Sequence, residues 1–206
     1  MPRPTMTRGR RLVGAAVSVL LSGLAVAGCS GSAPEPTSSS AADQGADSAI
    51  LAEHGLTGLD TAQVIETLDT MPVADRPADL LASVQPGALV LSDDEEREAR
   101  LPMPADEVYV AVAPYREQTH DCHFHSLTTC VGELGGADVR VVLTSEAGDV
   151  LVDEVRQTFD NGFVGLWVPR GIEATLTIEH DGGTGTVPIS TVDEDDPTCI
   201  TSLQLT

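Results

Sequence analysis

Lysine is absent from this chain, and only six of its residues are aromatic. Of the 11 arginines, four precede residue 12, while all 32 acidic residues follow residue 28. The seven later arginines therefore face a large excess of negative charge, a net of −25. Such a surface repels phosphate backbones and anionic headgroups, so nucleic acid is excluded as a partner, and so is polybasic membrane binding by the folded part. It enriches cations instead. The scarcity of aromatics leaves no platform for stacking bases or sugars. G-x-S-x-G, P-loop and Rossmann glycine patterns are all missing, and with them the motif-level case for a serine hydrolase, a phosphotransferase or a nucleotide binder. No C-x-x-C pair occurs, which argues against thioredoxin-like exchange and against a ribbon-type zinc knuckle. With 41% hydrophobic residues, a core can form nonetheless.

Residues 1–28 read as a secretory signal. Arg3, Arg8, Arg10 and Arg11 make a basic start, and Leu12 to Ala27 is an apolar run too short for a comfortable membrane span. The run closes in Val26-Ala27-Gly28-Cys29, which resembles a bacterial lipobox, with Cys29 acylated as the new N-terminus. Two acyl chains make a stable membrane anchor. Residues 29–48 are rich in Ser, Ala, Pro, Asp and Gly, without apolar periodicity, and read as a disordered tether. Such a coil holds the folded part about 20–25 Å from the lipid surface. The expected location is the extracytoplasmic face of a bacterial cell membrane, periplasmic or cell-surface.

The rest reads as α+β: a small helical N-terminal region, 49–104, followed by an antiparallel β-sandwich or Greek-key barrel of about seven strands, 105–206. Asp60 with Gln63 has the form of a reciprocal helix cap, and Val64, Ile65, Leu68 and Met71 share one face before Pro72. Pro77 opens a second short helix with Leu80, Leu81 and Val84 inward, and Ser92 with Glu95 caps a third running to Leu101. From Glu107 the period changes to two. Strands are expected at Val108–Val112, Val139–Thr144, Val150–Val155, Phe163–Val168, Ala174–His180, Thr184–Ser190 and Cys199–Leu205, with turns such as Asn161-Gly162 between them. Trp167 is expected in the sandwich core, and Asp93–Glu96 and Asp193–Asp196 as solvated faces.

Chemistry concentrates between His120 and Cys130, where His120, Cys122, His123, His125 and Cys130 fall within eleven residues. With Cys29 acylated, Cys122, Cys130 and Cys199 remain, an odd number in an oxidising compartment. One accordingly has no partner within the chain. A disulfide from Cys122 to Cys130 or to Cys199 beside a buried spare thiol makes a stapled structural or adhesion module without metal. Three sulfurs and one nitrogen make a closed zinc site. Mixed thiol and imidazole donors equally suit copper, thiolates favouring Cu(I) and imidazole Cu(II). Two thiolates beside Cu(II) can each give one electron, which leaves two Cu(I) and a disulfide. The nearby Asp121 and Glu194–Asp196 are expected to raise the thiol pKa values, so that metal must drive deprotonation.

Several segments together resemble one family. They are Leu101-Pro102-Met103-Pro104, Ala113-Pro114-Tyr115, Thr119-His120-Asp121-Cys122, His125-Ser126-Leu127-Thr128-Thr129-Cys130 with Gly132-Glu133-Leu134, Asn161-Gly162-Phe163 with Leu166-Trp167-Val168-Pro169, and Thr198-Cys199-Ile200-Thr201. Across roughly residues 56–206 the chain resembles the CueP-type extracytoplasmic copper-binding proteins. The resemblance implies that Cys122, Cys130 and Cys199 are the copper-associated cysteines, with His125 a neighbour and His120 and His123 further candidates. It also implies copper tolerance by sequestration, reduction of Cu(II) in at most a stoichiometric, thiol-driven reaction, and handover to a client copper enzyme such as a superoxide dismutase. A homodimer formed through the N-terminal helices is implied as well. Zinc is the runner-up ion. The lipid anchor and tether depart from the family pattern and bear on how freely a client is reached.

Overall fold

The computed structural model describes residues 49–206. The signal segment, Cys29 and the tether lie outside the described residues. No helix among the described residues is long and apolar enough to cross a membrane.

A helical turn over 49–53 leads through Gly55, at φ +68°, to helix α1, Thr61–Asp69. The cap forms as expected: the Gln63 amide donates to Asp60 Oδ1 at 2.9 Å, and the Asp60 amide donates to Gln63 Oε1 at 3.0 Å. Asp60→Ala removes one arm of this box and is expected to lower stability by about 1 kcal/mol in denaturant unfolding, with an unchanged m-value. Val64, Ile65 and Leu68 are buried.

Eleven strands follow. They are β1 Leu80–Val84, β2 Ala88–Asp93, β3 Glu98–Pro102, β4 Glu107–Val112, β5 His125–Ser126, β6 Asp138–Ser145, β7 Val150–Gln157, β8 Val164–Pro169, β9 Glu173–His180, β10 Gly183–Ser190 and β11 Cys199–Ile200. They form three sheets, ordered β3-β2-β1-β5, β10-β9-β6-β7 and β11-β4-β8. The pairings are antiparallel except β11 on β4, where Cys199 lies beside Ala111.

Beyond α1, the two further helices expected at 77–86 and 92–101 are strands instead. Leu80, Ala82 and Val84 turn inward while Leu81 is exposed, a period of two that the spacing of Leu80 and Val84 disguises as a helical repeat. Pro86-Gly87 ends no helix but turns a hairpin between β1 and β2. The acidic run turns the next hairpin. Asp93 Oδ1 accepts from the Glu95 and Arg97 amides at 3.0 Å each, and Glu96 takes a positive φ of 62°. The Asp93 side chain is thus buried against Arg97 rather than solvated. Asp196 is likewise a turn builder, accepting from Ser190 and from the Asp193 amide.

The strand β4 explains the layering. Val108, Val110 and Val112 face a core of Val141, Leu143, Leu166, Leu176 and Ile178 between the β6–β9 sheet and the β4–β8 sheet. Tyr109, Ala111 and Ala113, on its other face, meet a second core made by α1, β1–β3, Leu127, Phe163, Cys130 and Cys199. The apolar face of α1 is therefore covered by its own chain. Trp167 packs half-buried against this second core, edge-on to Tyr109 with centroids 5.0 Å apart, and not in the sandwich core. Its position in β8, opposite Tyr109, assigns it to the outward face.

Candidate metal centre

The site lies in the second core. Thr198 joins its parts. The Thr198 hydroxyl donates to the Val84 carbonyl at 2.6 Å and accepts from the His125 amide at 3.0 Å. The Thr198 and Cys199 amides both donate to the His123 carbonyl at 3.0 Å. β5 adds to the edge of β1, with His125 opposite Val84. Cys130 closes a turn onto the Ser126 carbonyl, and the Arg76 guanidinium donates to the Cys130 carbonyl at 2.8 Å. The His-rich loop and the closing strand are thereby held together by backbone bonds.

The sulfurs meet. Cys122 and Cys199 form a disulfide with Cα atoms 5.7 Å apart, and Cys130 is a free, buried thiol with its Sγ 3.5 Å from Cys122 Sγ. His125 Nδ1 lies 3.7 Å from Cys199 Sγ. Two donor groups result, His120 with Cys122 and Cys130, and His125 with Cys130 and Cys199, each with all its ligand atoms within 4.8 Å of one another. His123 stands apart: its Nε2 contacts the Asp195 carbonyl oxygen at 2.9 Å in an exposed position. His54 follows the first helical turn and His180 ends β9, and neither belongs to either donor group.

Residues that sequence reading did not single out surround His125. Asp69 and His125 are both fully buried, and His125 Nε2 donates to Asp69 Oδ1 at 3.0 Å. The Tyr109 hydroxyl donates to Asp69 Oδ2 at 2.6 Å, and Asn161 Nδ2 donates to Asp69 Oδ1 at 2.8 Å. Asn161 Oδ1 in turn accepts from the Phe163 amide, and the Phe163 ring packs on His125 with centroids 4.5 Å apart. Asp69 looks like the unremarkable last residue of a helix, and only the fold reveals three donors converging on it.

The electrostatics follow from this network. Burial alone raises a carboxyl, but the bonds from His125, Tyr109 and Asn161 outweigh it and hold Asp69 below its ordinary value. Burial lowers an imidazole, but Asp69 and then Cys130 outweigh it and hold His125 above its ordinary value. Burial raises a thiol, but His125, the Ser126 amide and Arg76 outweigh it and depress Cys130. The expectation of a raised thiol pKa is therefore corrected for Cys130, because the groups facing that sulfur are His125 and Arg76 rather than the acids near it in sequence. Its thiolate, the form that binds metal, is favoured.

A surface cleft of about 610 Å³ reaches the disulfide, lined by Asp121, Cys122, His123, Pro188, Pro197 and Cys199 among others. An ion can approach there past a carboxylate. Among the described residues four buried side-chain polar atoms have no hydrogen-bond partner, Arg76 Nε and Nη2, Thr128 Oγ1 and His120 Nε2, and of these only the imidazole nitrogen is a soft-metal donor. The His120 imidazole stands beside the sulfurs of Cys122 and Cys130.

The family model described as "Periplasmic copper-binding protein CueP" matches residues 63–204. Among solved structures the chain is similar to one described as "Crystal Structure of S.CueP", with 38% identity and a TM-score of 0.72 over 77% of this chain and 96% of that one. A search of the curated proteins finds no match. On the extent of the family match and the identity shared with that crystal structure, the chain belongs to the CueP family of periplasmic copper-binding proteins.

Proposed function

We propose that the protein sequesters copper at a site made by Cys122, Cys130 and Cys199 with His125 and His120, reduces Cu(II) to Cu(I) there, and passes the ion to a client copper enzyme such as a superoxide dismutase. The observation that carries this reading is the convergence of three sulfurs and two imidazoles in two donor groups that share Cys130. Thiolate and imidazole together fit both oxidation states of copper, and hard cations poorly.

The redox step balances within the site. The thiolates of Cys122 and Cys199 each lose one electron and join in an S–S bond, and two Cu(II) become two Cu(I). The thiol protons leave earlier, as the thiolates form. The bridge between Cys122 and Cys199 is the product of that step, and Cys130 remains as a soft donor 3.5 Å from Cys122 Sγ. The same bridge supports a second reading, a metal-free staple. A staple, however, has no use for a third buried sulfur beside it or for the unpartnered nitrogen of His120. His123 serves as backbone scaffold in this proposal, accepting the Thr198 and Cys199 amides through its carbonyl. Residues 1–28 would direct export and Cys29 would carry the acyl anchor, as the lipobox-like Val26-Ala27-Gly28-Cys29 suggests.

Mixing the reduced full chain with Cu(II) under anaerobic conditions tests the chemistry. A cuprous-specific chelator should report one Cu(I) for each thiol lost, and peptide mapping should recover Cys122 linked to Cys199. Copper that stays divalent while all three thiols survive would overturn the reductive step.

A further inference from the structure

We infer that the reduced site holds two copper(I) ions bridged by the sulfur of Cys130. This rests on the copper reading above and gives it a stoichiometry. The two donor groups are not one group seen twice. Each has its own imidazole and its own cysteine, His120 with Cys122 and His125 with Cys199, and only Cys130 belongs to both. Both imidazoles pack against the Phe163 ring, with centroids 6.3 Å away for His120 and 4.5 Å for His125. Because Asp69 takes the Nε2–H of His125, Nδ1 is the nitrogen left to bind metal, and it already points at Cys199 Sγ from 3.7 Å. A carboxylate that orients a ligating histidine in this way is a recurrent feature of metal sites. His120 supplies the other nitrogen, buried and without a hydrogen-bond partner. A single ion served by all five donors would exceed the four that a closed-shell ion such as zinc takes in protein sites. Two ions sharing one thiolate give each a set of two sulfurs and one nitrogen.

This arrangement couples reduction to release. Two Cu(II) take two electrons, and the disulfide that forms removes one sulfur from each group, Cys122 from the first and Cys199 from the second. Each Cu(I) is left with its imidazole and the shared Cys130. Both ions loosen in the same step.

Anaerobic titration of the reduced full chain with Cu(I), in competition with a chromogenic Cu(I) chelator, reads the stoichiometry directly. The wild-type chain should retain two ions. His120→Ala should retain one, with a far-UV circular dichroism spectrum like that of the wild type, since His120 lies on a loop outside the strands. Cys130→Ser should lose both from the tight-binding range. Saturation of the wild type at one tightly held ion, unchanged in His120→Ala, would overturn the two-ion site and leave the copper reading standing. Failure to hold any Cu(I) would overturn both.

Discussion

Replacing Asp69 with alanine is expected to destabilise the metal-free, disulfide-intact protein by about 3–5 kcal/mol, the cost typical of breaking a buried ion pair from one side. The carboxylate takes hydrogen bonds from His125, Tyr109 and Asn161, and all three donors would be left in a core that water does not reach. Against a total stability of roughly 5–15 kcal/mol for an ordinary domain, this loss brings the fold near its threshold. Asp69→Asn keeps the shape but not the charge, and should cost less. Its pH dependence is the sharper test, and the sign follows from the two shifts. Asp69 is held below its ordinary 3.8, so its contribution is complete above about pH 4 and is lost as pH falls through the folded value. His125 is held above its ordinary 6.5, so its contribution is complete below about pH 6.5 and is lost as pH rises through the folded value. The stability gap between wild type and Asp69→Asn should therefore be widest between about pH 4 and 6.5 and narrow on either side. Urea unfolding across that range measures it, and a gap that stays flat would show that the pair is not ionised in the folded protein.

The second large effect is on copper affinity. Cys130→Ser should weaken Cu(I) binding by more than about 100-fold, beyond the 10–100-fold that loss of an outer-shell partner costs. Its sulfur belongs to both donor groups, its thiolate is favoured by His125 and Arg76, and it stays free when Cys122 and Cys199 are joined. Serine replaces a soft donor with a hard one of nearly the same size, so the change tests chemistry more than packing. Cys122→Ser and Cys199→Ser should also weaken binding, and in neither can the observed bridge form, so any remaining electron transfer to Cu(II) must consume Cys130. Equal Cu(I) affinity in Cys130→Ser and wild type would mean that this thiol is only core filling.

How much of this was legible in the sequence depended on whether the signal was local. The Asp60 and Gln63 cap, the alternation through Val108, Val110 and Val112, and the turn at Asn161-Gly162 each rest on a few adjacent residues, and each forms as read. The hairpins of β1–β3 resemble helices in sequence because Leu80 and Val84 satisfy both periods, and the burial of Ala82 and exposure of Leu81, which decide between them, are set by tertiary packing. The concentration of Cys and His between residues 120 and 130 pointed to the site, and its likeness to a copper-binding family supplied the third sulfur at Cys199. His123 has the same composition and neighbourhood as His125, yet it lies in the exposed loop before β5, with its Nε2 against the Asp195 carbonyl, while β5 carries His125 into the core. Asp69, Tyr109 and Asn161 were silent because they come from α1, β4 and the turn before β8, and nothing in their spacing announces that they meet.

The copper absorption edge of the Cu(I)-loaded, reduced full chain bears most directly on whether the closing strand and the His-rich loop build one soft-metal site. The wild type should show sulfur as the majority of the atoms bound to copper, and Cys199→Ser should lose part of that sulfur shell while its fold persists. A wild-type spectrum of nitrogen and oxygen neighbours alone, or one that Cys199→Ser leaves unaltered, would contradict the account.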